Sequence, residues 1–162
     1  MLEELYEKFE IVNSVGEHIG KIKEVYLDLD IWEIKAFKIS PSALKKSYLI
    51  ELKEIQKVDL EDKKLIVGDE VEKKEVPEKP TKKLYPYDEL MKLHIVDKEG
   101  EKVGKITSLE IPYEKLKKFK VWKILIKTGL KERRLRVSTS EVDKVMEKIH
   151  LKKNLIDYQS NE

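Results

Sequence analysis

Three histidines, His18, His94 and His150, are the side chains best placed by type to bind a metal or carry a proton near neutral pH. They lie far apart and match no ligand spacing. His18 falls in a turn whose repeat counterpart is Lys102, so it reads as a surface turn residue. The "DLD" run at Asp28–Asp30 has the residue types of a cation site. No ligand-rich loop follows it, so a solvated strand end is the better reading. Carboxylates are too abundant for spacing alone to single out an acid–base pair. Cysteine is absent, which excludes thiolate ligands, disulfides and cysteine nucleophiles. No glycine-rich loop opens a helix, and no nucleophile elbow occurs. The expectation is a protein with no catalytic residue, no metal and no cofactor.

One constellation of charge stands out. Ten basic residues lie between Lys115 and Arg136, with Glu132 as the only acid among them. The candidate binding residues are Lys118, Lys120, Lys123, Lys127, Lys131, Arg133, Arg134 and Arg136, and they include all three arginines of the chain. Alternation in "KFKVWKILIK" puts lysines on one strand face and apolar residues on the other. A hairpin turned at Gly129 then brings "RRLR" beside them. Such a strip can remain a solvated face, or hold an acidic protein, RNA phosphates or an anionic membrane surface. Arg suits the carboxylate and phosphate forks better than Lys. Tyr113, Phe119 and Trp122 could stack on bases, although Trp122 reads as a core residue matching Trp32.

The elements that must position this strip come from a duplication. At an offset of 84, Lys8–Leu27 aligns with Lys92–Ile111, and eight of the twenty pairs are identical. They include Gly16/Gly100 and Gly20/Gly104, two matched pairs in a chain with only six glycines. Each copy reads as a hairpin. Gly16 and Gly100 serve the turn, and Gly20 and Gly104 mark a bend or close backbone approach within the following strand. Further strand-like runs follow, one in each copy carrying Trp32 or Trp122. In the second copy Val142, Val145, Met146 and Ile149 have helical spacing, with Thr139 or Ser140 available as a cap, which predicts a C-terminal helix there. The fold expected is mostly β: two tandem small barrels with short helical turns and that helix. Residues 1–71 form the first domain, 72–86 a charged, proline-containing linker, and 87–162 the second domain.

The residues Val12, Gly16, Ile19, Gly20 and Ile22, and again Val96, Gly100, Val103, Gly104 and Ile106, resemble the motif of the PRC-barrel family. The resemblance implies a strongly bent small β-barrel used for protein interaction, without catalytic residues to carry over. Similar archaeal proteins act in cell division with a tubulin-like ring and its membrane anchor, so a scaffold or adaptor in that process is what the resemblance implies. The alternative is an RNA- or ribosome-associated maturation factor using residues 115–136. Ribosome-maturation relatives pair a single PRC-barrel with an unrelated barrel, and the tandem copies here depart from that pattern.

Charged residues make up 41% of the chain, against roughly 25% in ordinary soluble proteins. The Lys/Glu enrichment resembles that of thermophile proteins. Charge is uneven. Residues 1–84 hold 16 Lys/Arg against 19 Asp/Glu, and residues 85–162 hold 18 against 13. No apolar run reaches the roughly 18 residues of a membrane span, and "MLEELYEKFE" does not read as a signal peptide. The expectation is a cytoplasmic protein without membrane insertion, binding a protein partner and able to form a homodimer through exposed barrel edges.

Overall fold

Alternating residues pack inward along each strand of the repeat, and this periodicity builds two sheets on one plan. The computed structural model describes residues 1–42, 45–111, 119–129 and 133–159. The first unit contains α1 (Glu3–Glu7), β1 (Glu10–Val12), β2 (His18–Asp28), β3 (Glu33–Ser40), β4 (Tyr48–Glu51), β5 (Ile55–Asp59) and β6 (Lys64–Val67). A short strand, β7 (Tyr85–Pro86), leads into the second unit. That unit contains α2 (Tyr87–Met91), β8 (His94–Val96), β9 (Lys102–Glu110), β10 (Lys123–Thr128), β11 (Arg133–Ser138), β12 (Val142–Val145) and β13 (Ile149–Leu151), and is followed by α3 (Leu155–Gln159). The strand order is β4-β3-β2-β1-β6-β5 in the first sheet and β11-β10-β9-β8-β13-β12 in the second. In both, the first and last strands of the unit pair in parallel, β1 with β6 and β8 with β13. The chain is mostly β, in two sheets of barrel-like topology with few short helices.

Equivalent turns close the two hairpins. Gly16 and Gly100 have φ of +86° and +85°, a left-handed conformation that glycine adopts without penalty. Asn13 Oδ1 accepts the Val15 and Glu17 N–H groups, and Asp97 Oδ1 likewise accepts those of Glu99 and Glu101. In the bent strand, a Cβ on Gly104 would run into the Lys127 carbonyl oxygen, so the close approach of β9 to β10 depends on glycine there.

From the third to the fifth strand of each unit the offset is 87, and at the last strand it is 84 again. Ile22 pairs with Ile39, whereas Ile106 pairs with Ile126. The equivalent of Trp32 is then Phe119, not Trp122. Trp32 is buried and Trp122 is 43% exposed, which corrects the expected core role of Trp122. The two units meet along a local twofold. Ile34 N–H donates to Phe119 C=O (2.8 Å), and Val121 N–H to Trp32 C=O (2.8 Å), the same bond under exchange of units. Leu2 N–H donates to Leu109 C=O (2.9 Å), so α1 is anchored on the opposite unit. One continuous apolar core results, reaching from Leu2 and Leu5 through Phe37, Phe119 and Ile124 to Leu151.

The helix expected over Val142–Ile149 is overturned. These residues form β12 and β13, joined at Met146, which is 64% exposed. The preceding Thr139–Glu141 is a 3-10 turn capped by Ser138 Oγ, which accepts the Ser140 N–H. Parallel pairing of β13 with β8 requires extended backbone, and tertiary pairing outweighs a short helical pattern. The C-terminal helix lies further on, at α3. Residues 72–86 run over the outer face of the first sheet. Leu49 and Lys74 exchange main-chain hydrogen bonds (2.7 and 2.9 Å), Leu29 N–H donates to Lys82 C=O, and Val76 and Leu84 cover Tyr26, Ala36 and Leu49.

Candidate interaction surface

Strands β10 and β11 present the basic residues as alternation dictates. Ile124, Ile126 and Thr128 point inward, while Lys123, Leu125 and Lys127 face out beside the exposed Arg134 and Arg136. Lys118 and Lys131 lie outside the described residues, and Arg133 is described as backbone of β11. Lys120 is not on this face. It forms a bridge with Glu33 at the seam between units, away from the β10–β11 face.

Register adds residues that a linear strip cannot contain. His94 is opposite Lys105, Lys105 opposite Lys127, and Lys127 opposite Arg134. All four side chains are exposed, which makes a cationic row across β8, β9, β10 and β11. Among the described residues none of the four forms an ion pair within 4.0 Å. Some desolvation, together with the charges of Lys102, Lys105 and Lys148, holds the His94 pKa below that of an ordinary histidine. Like charges directly opposite on a sheet are destabilising, so packing does not account for the row. In the first sheet the corresponding row is Glu10–Lys21–Ser40, and Glu10 there pairs with His18 (2.8 Å) and Lys64 (4.0 Å). Substitution between copies, Glu10 to His94 and Ser40 to Lys127, is the sequence signal for the row. It becomes readable only once the bulged register is known.

Arg136 is partly neutralised. Its guanidinium grips Glu110 in a fork, with Nε to both carboxylate oxygens at 3.0 Å and Nη2 to Oε2 at 2.6 Å. This fork raises the Arg136 pKa further above the arginine range. Lys123 lies directly opposite Glu110 in the register. The equivalent trio in the first sheet is the apolar Tyr26–Ala36–Leu49, which residues 72–86 cover.

The remaining polar groups are largely satisfied internally. Lys83 reaches both Asp28 (3.7 Å) and Asp30 (3.6 Å), occupying the acidic pair read above as a strand end. A groove of about 970 Å³ beside β5 contains the pairs Lys35–Glu33 and Lys53–Glu51. Its counterpart of about 540 Å³ runs beside β12. Near the local twofold, Tyr6 donates to Glu24 (2.9 Å), and both Tyr87 (2.6 Å) and Ser108 (2.5 Å) donate to Glu3. Burial pushes the pKa values of Tyr6 and Tyr87 up, and their carboxylate partners add to the rise. No helix among the described residues is long and apolar enough to cross a membrane.

Residues 6–71 match the family model of the PRC-barrel domain. No curated protein matches the chain. The second unit, beyond that match, repeats the strand order of the first.

Proposed function

We propose, from the premise that residues 6–71 are a PRC-barrel domain, that this chain is a non-catalytic cytoplasmic adaptor whose second unit holds an acidic protein partner. The observation carrying this reading is the row His94–Lys105–Lys127–Arg134, which forms no ion pair within 4.0 Å among the described residues and is replaced by Glu10–Lys21–Ser40 in the first sheet. Duplication left one copy of the surface balanced and the other cationic. Complementary potential of this kind steers association and selects partners. Cell division, the process that the family resemblance implies, is where its partner is to be sought.

A second reading, an RNA- or ribosome-associated factor, draws on the exposed indole of Trp122 between Lys120 and Lys123, a stacking surface flanked by cations. A pull-down from the source cells with and without nuclease, read by mass spectrometry, separates the two. The adaptor reading expects the same partner in both samples and its loss when Lys127 and Arg134 are changed to Glu. Ribosomal proteins recovered only without nuclease would replace it with the RNA reading.

A further inference from the structure

Strands β4 and β11 occupy the same edge in their respective sheets, but among the described residues only β4 is paired on its outer side by another segment of the chain. Leu49 exchanges main-chain hydrogen bonds with Lys74 in both directions, and Lys74 Nζ pairs with the Glu51 carboxylate. The offset of 87 carries Leu49 onto Arg136: Lys38 faces Leu49 in β3–β4, and Leu125 faces Arg136 in β10–β11. The outward main-chain N–H and C=O of Leu49 therefore correspond to those of Arg136. Those of Arg134, two residues away, share the direction. Among the described residues no main-chain group pairs with this outer edge of β11. Where residues 72–76 follow β6 in the first unit, the described residues after β13 form α3, which lies near β11 with Tyr158 beside the edge but forms no main-chain pairing with it. An open edge is a template for another strand.

We infer that the outer edge of β11 takes an extended acidic segment of a partner protein as an added β-strand, pairing with the main chain of Arg134 and Arg136. The chain's own residues 72–76 lying on β4 show the arrangement. Charge determines the occupant. Where Tyr26, Ala36 and Leu49 accept the apolar cover of Val76 and Leu84, the second unit offers Glu110, Lys123 and Arg136, with Arg134 and Lys127 beside them. The hollow along this edge, about 480 Å³, is lined by Lys123, Arg134, Arg136, Val137, Glu141 and Tyr158. Glu141 is held by Lys153 (2.7 Å), which leaves the cations of the edge in excess. Carboxylates on alternate residues of an added strand would fall on one face and meet Lys123, Lys127 and Arg134. A nucleic-acid backbone lacks the N–H groups that the outward carbonyls require, so the edge favours a peptide.

This inference deepens the adaptor reading and rests on it. The test uses the full chain labelled with 15N and three probes: a peptide of about ten residues alternating Glu and Val, the same peptide N-methylated at alternate residues, and poly-U RNA. The expected result is slowed hydrogen exchange at the Arg134 and Arg136 amides with the first peptide. N-methylation or the Arg134→Glu change is expected to weaken binding by about tenfold or more, with the amide spectrum of the variant otherwise unchanged. Equal binding of both peptides without protection at those amides would overturn strand addition and leave the adaptor reading standing. Binding of poly-U alone would overturn both, and no binding of the first peptide would overturn the proposed strand.

Discussion

Removing the Phe119 ring tests whether the two units share a single core. Phe119 is 1% exposed, and its ring meets that of Phe37 from the other unit edge to face, with centroids 6.4 Å apart and planes at 84°. Its carbonyl also accepts the Ile34 N–H across the seam. Truncating a buried phenylalanine to alanine costs about 3–5 kcal/mol, of which the edge-to-face pair accounts for about 0.5–1.5. In a chain of this size each kcal/mol lowers Tm by about 2–4 °C, so a loss of about 4 kcal/mol for Phe119→Ala predicts a fall of about 8–16 °C. Placing the change in a Trp122→Phe background leaves Trp32 as the fluorescence reporter of the first unit, while far-UV circular dichroism follows the whole chain. The two melts are expected to coincide and to move down together. Met146→Ala, at a position 64% exposed, is expected to stay within about 0.5 kcal/mol. A Trp32 transition that holds its temperature while the dichroism melt splits would refute the shared core.

Other consequences follow from single groups. Asp97→Asn is expected to keep its hairpin, as Asn13 does in the first copy, but to loosen α3, because Asp97 Oδ2 accepts the Leu155 N–H (3.2 Å); faster amide exchange at residues 155–159 checks this. Burial raises the Asp97 pKa, but N–H donors from Glu101, Leu155, Glu99 and Gly100 outweigh it and hold the value below the carboxylate norm. Its contribution is therefore present above the ordinary carboxylate pKa and lost as pH falls through the lowered one, so wild-type α3 should loosen only in acid. Glu24 is the opposite case: chiefly burial, with Asp88 adding, raises its pKa, while the Tyr6 hydrogen bond opposes the rise. Its stabilisation is full below the ordinary glutamate pKa and lost as pH rises through the raised one. Glu24→Gln keeps an acceptor for Tyr6 and Val25, and should melt higher than wild type at neutral pH and equally in acid. Gly104→Ala should cost about 1–3 kcal/mol or more, since a backbone carbonyl stands in the way. Gly100→Ala, with open space but φ of +85°, should cost about 1–2; urea midpoints rank them.

The interaction surface gains meaning from comparing the two copies. The same topology places an apolar trio under residues 72–86 in one unit and a charged trio, with Arg136 gripping Glu110, at the corresponding edge of the other. Residues 72–86 read in the sequence as a charged connection with prolines, yet their apolar members Val76 and Leu84 become cover for the first sheet. Isolated apolar residues in a charged run carry no periodicity from which that role could be read.

Sequence alone determined the duplication, the β character and the turns, because these are local. A glycine with positive φ, alternating burial along a strand and an Asn or Asp closing a hairpin are written within a few neighbouring residues. The basic strip was legible as composition, but its geometry was not. His94 and Lys105 join Lys127 and Arg134 only through cross-strand register, which bulges shift by a residue. Register likewise gave Arg136 its acid, Glu110, and sent Lys120 to the seam. The change of offset from 84 to 87 moved the tryptophan correspondence and left Trp122 exposed. Val142–Ile149 had helical spacing and became strands because β8 needed a parallel neighbour. Local periodicity sets which way a side chain faces; pairing between distant segments decides what it faces, and only the tertiary structure decides that pairing.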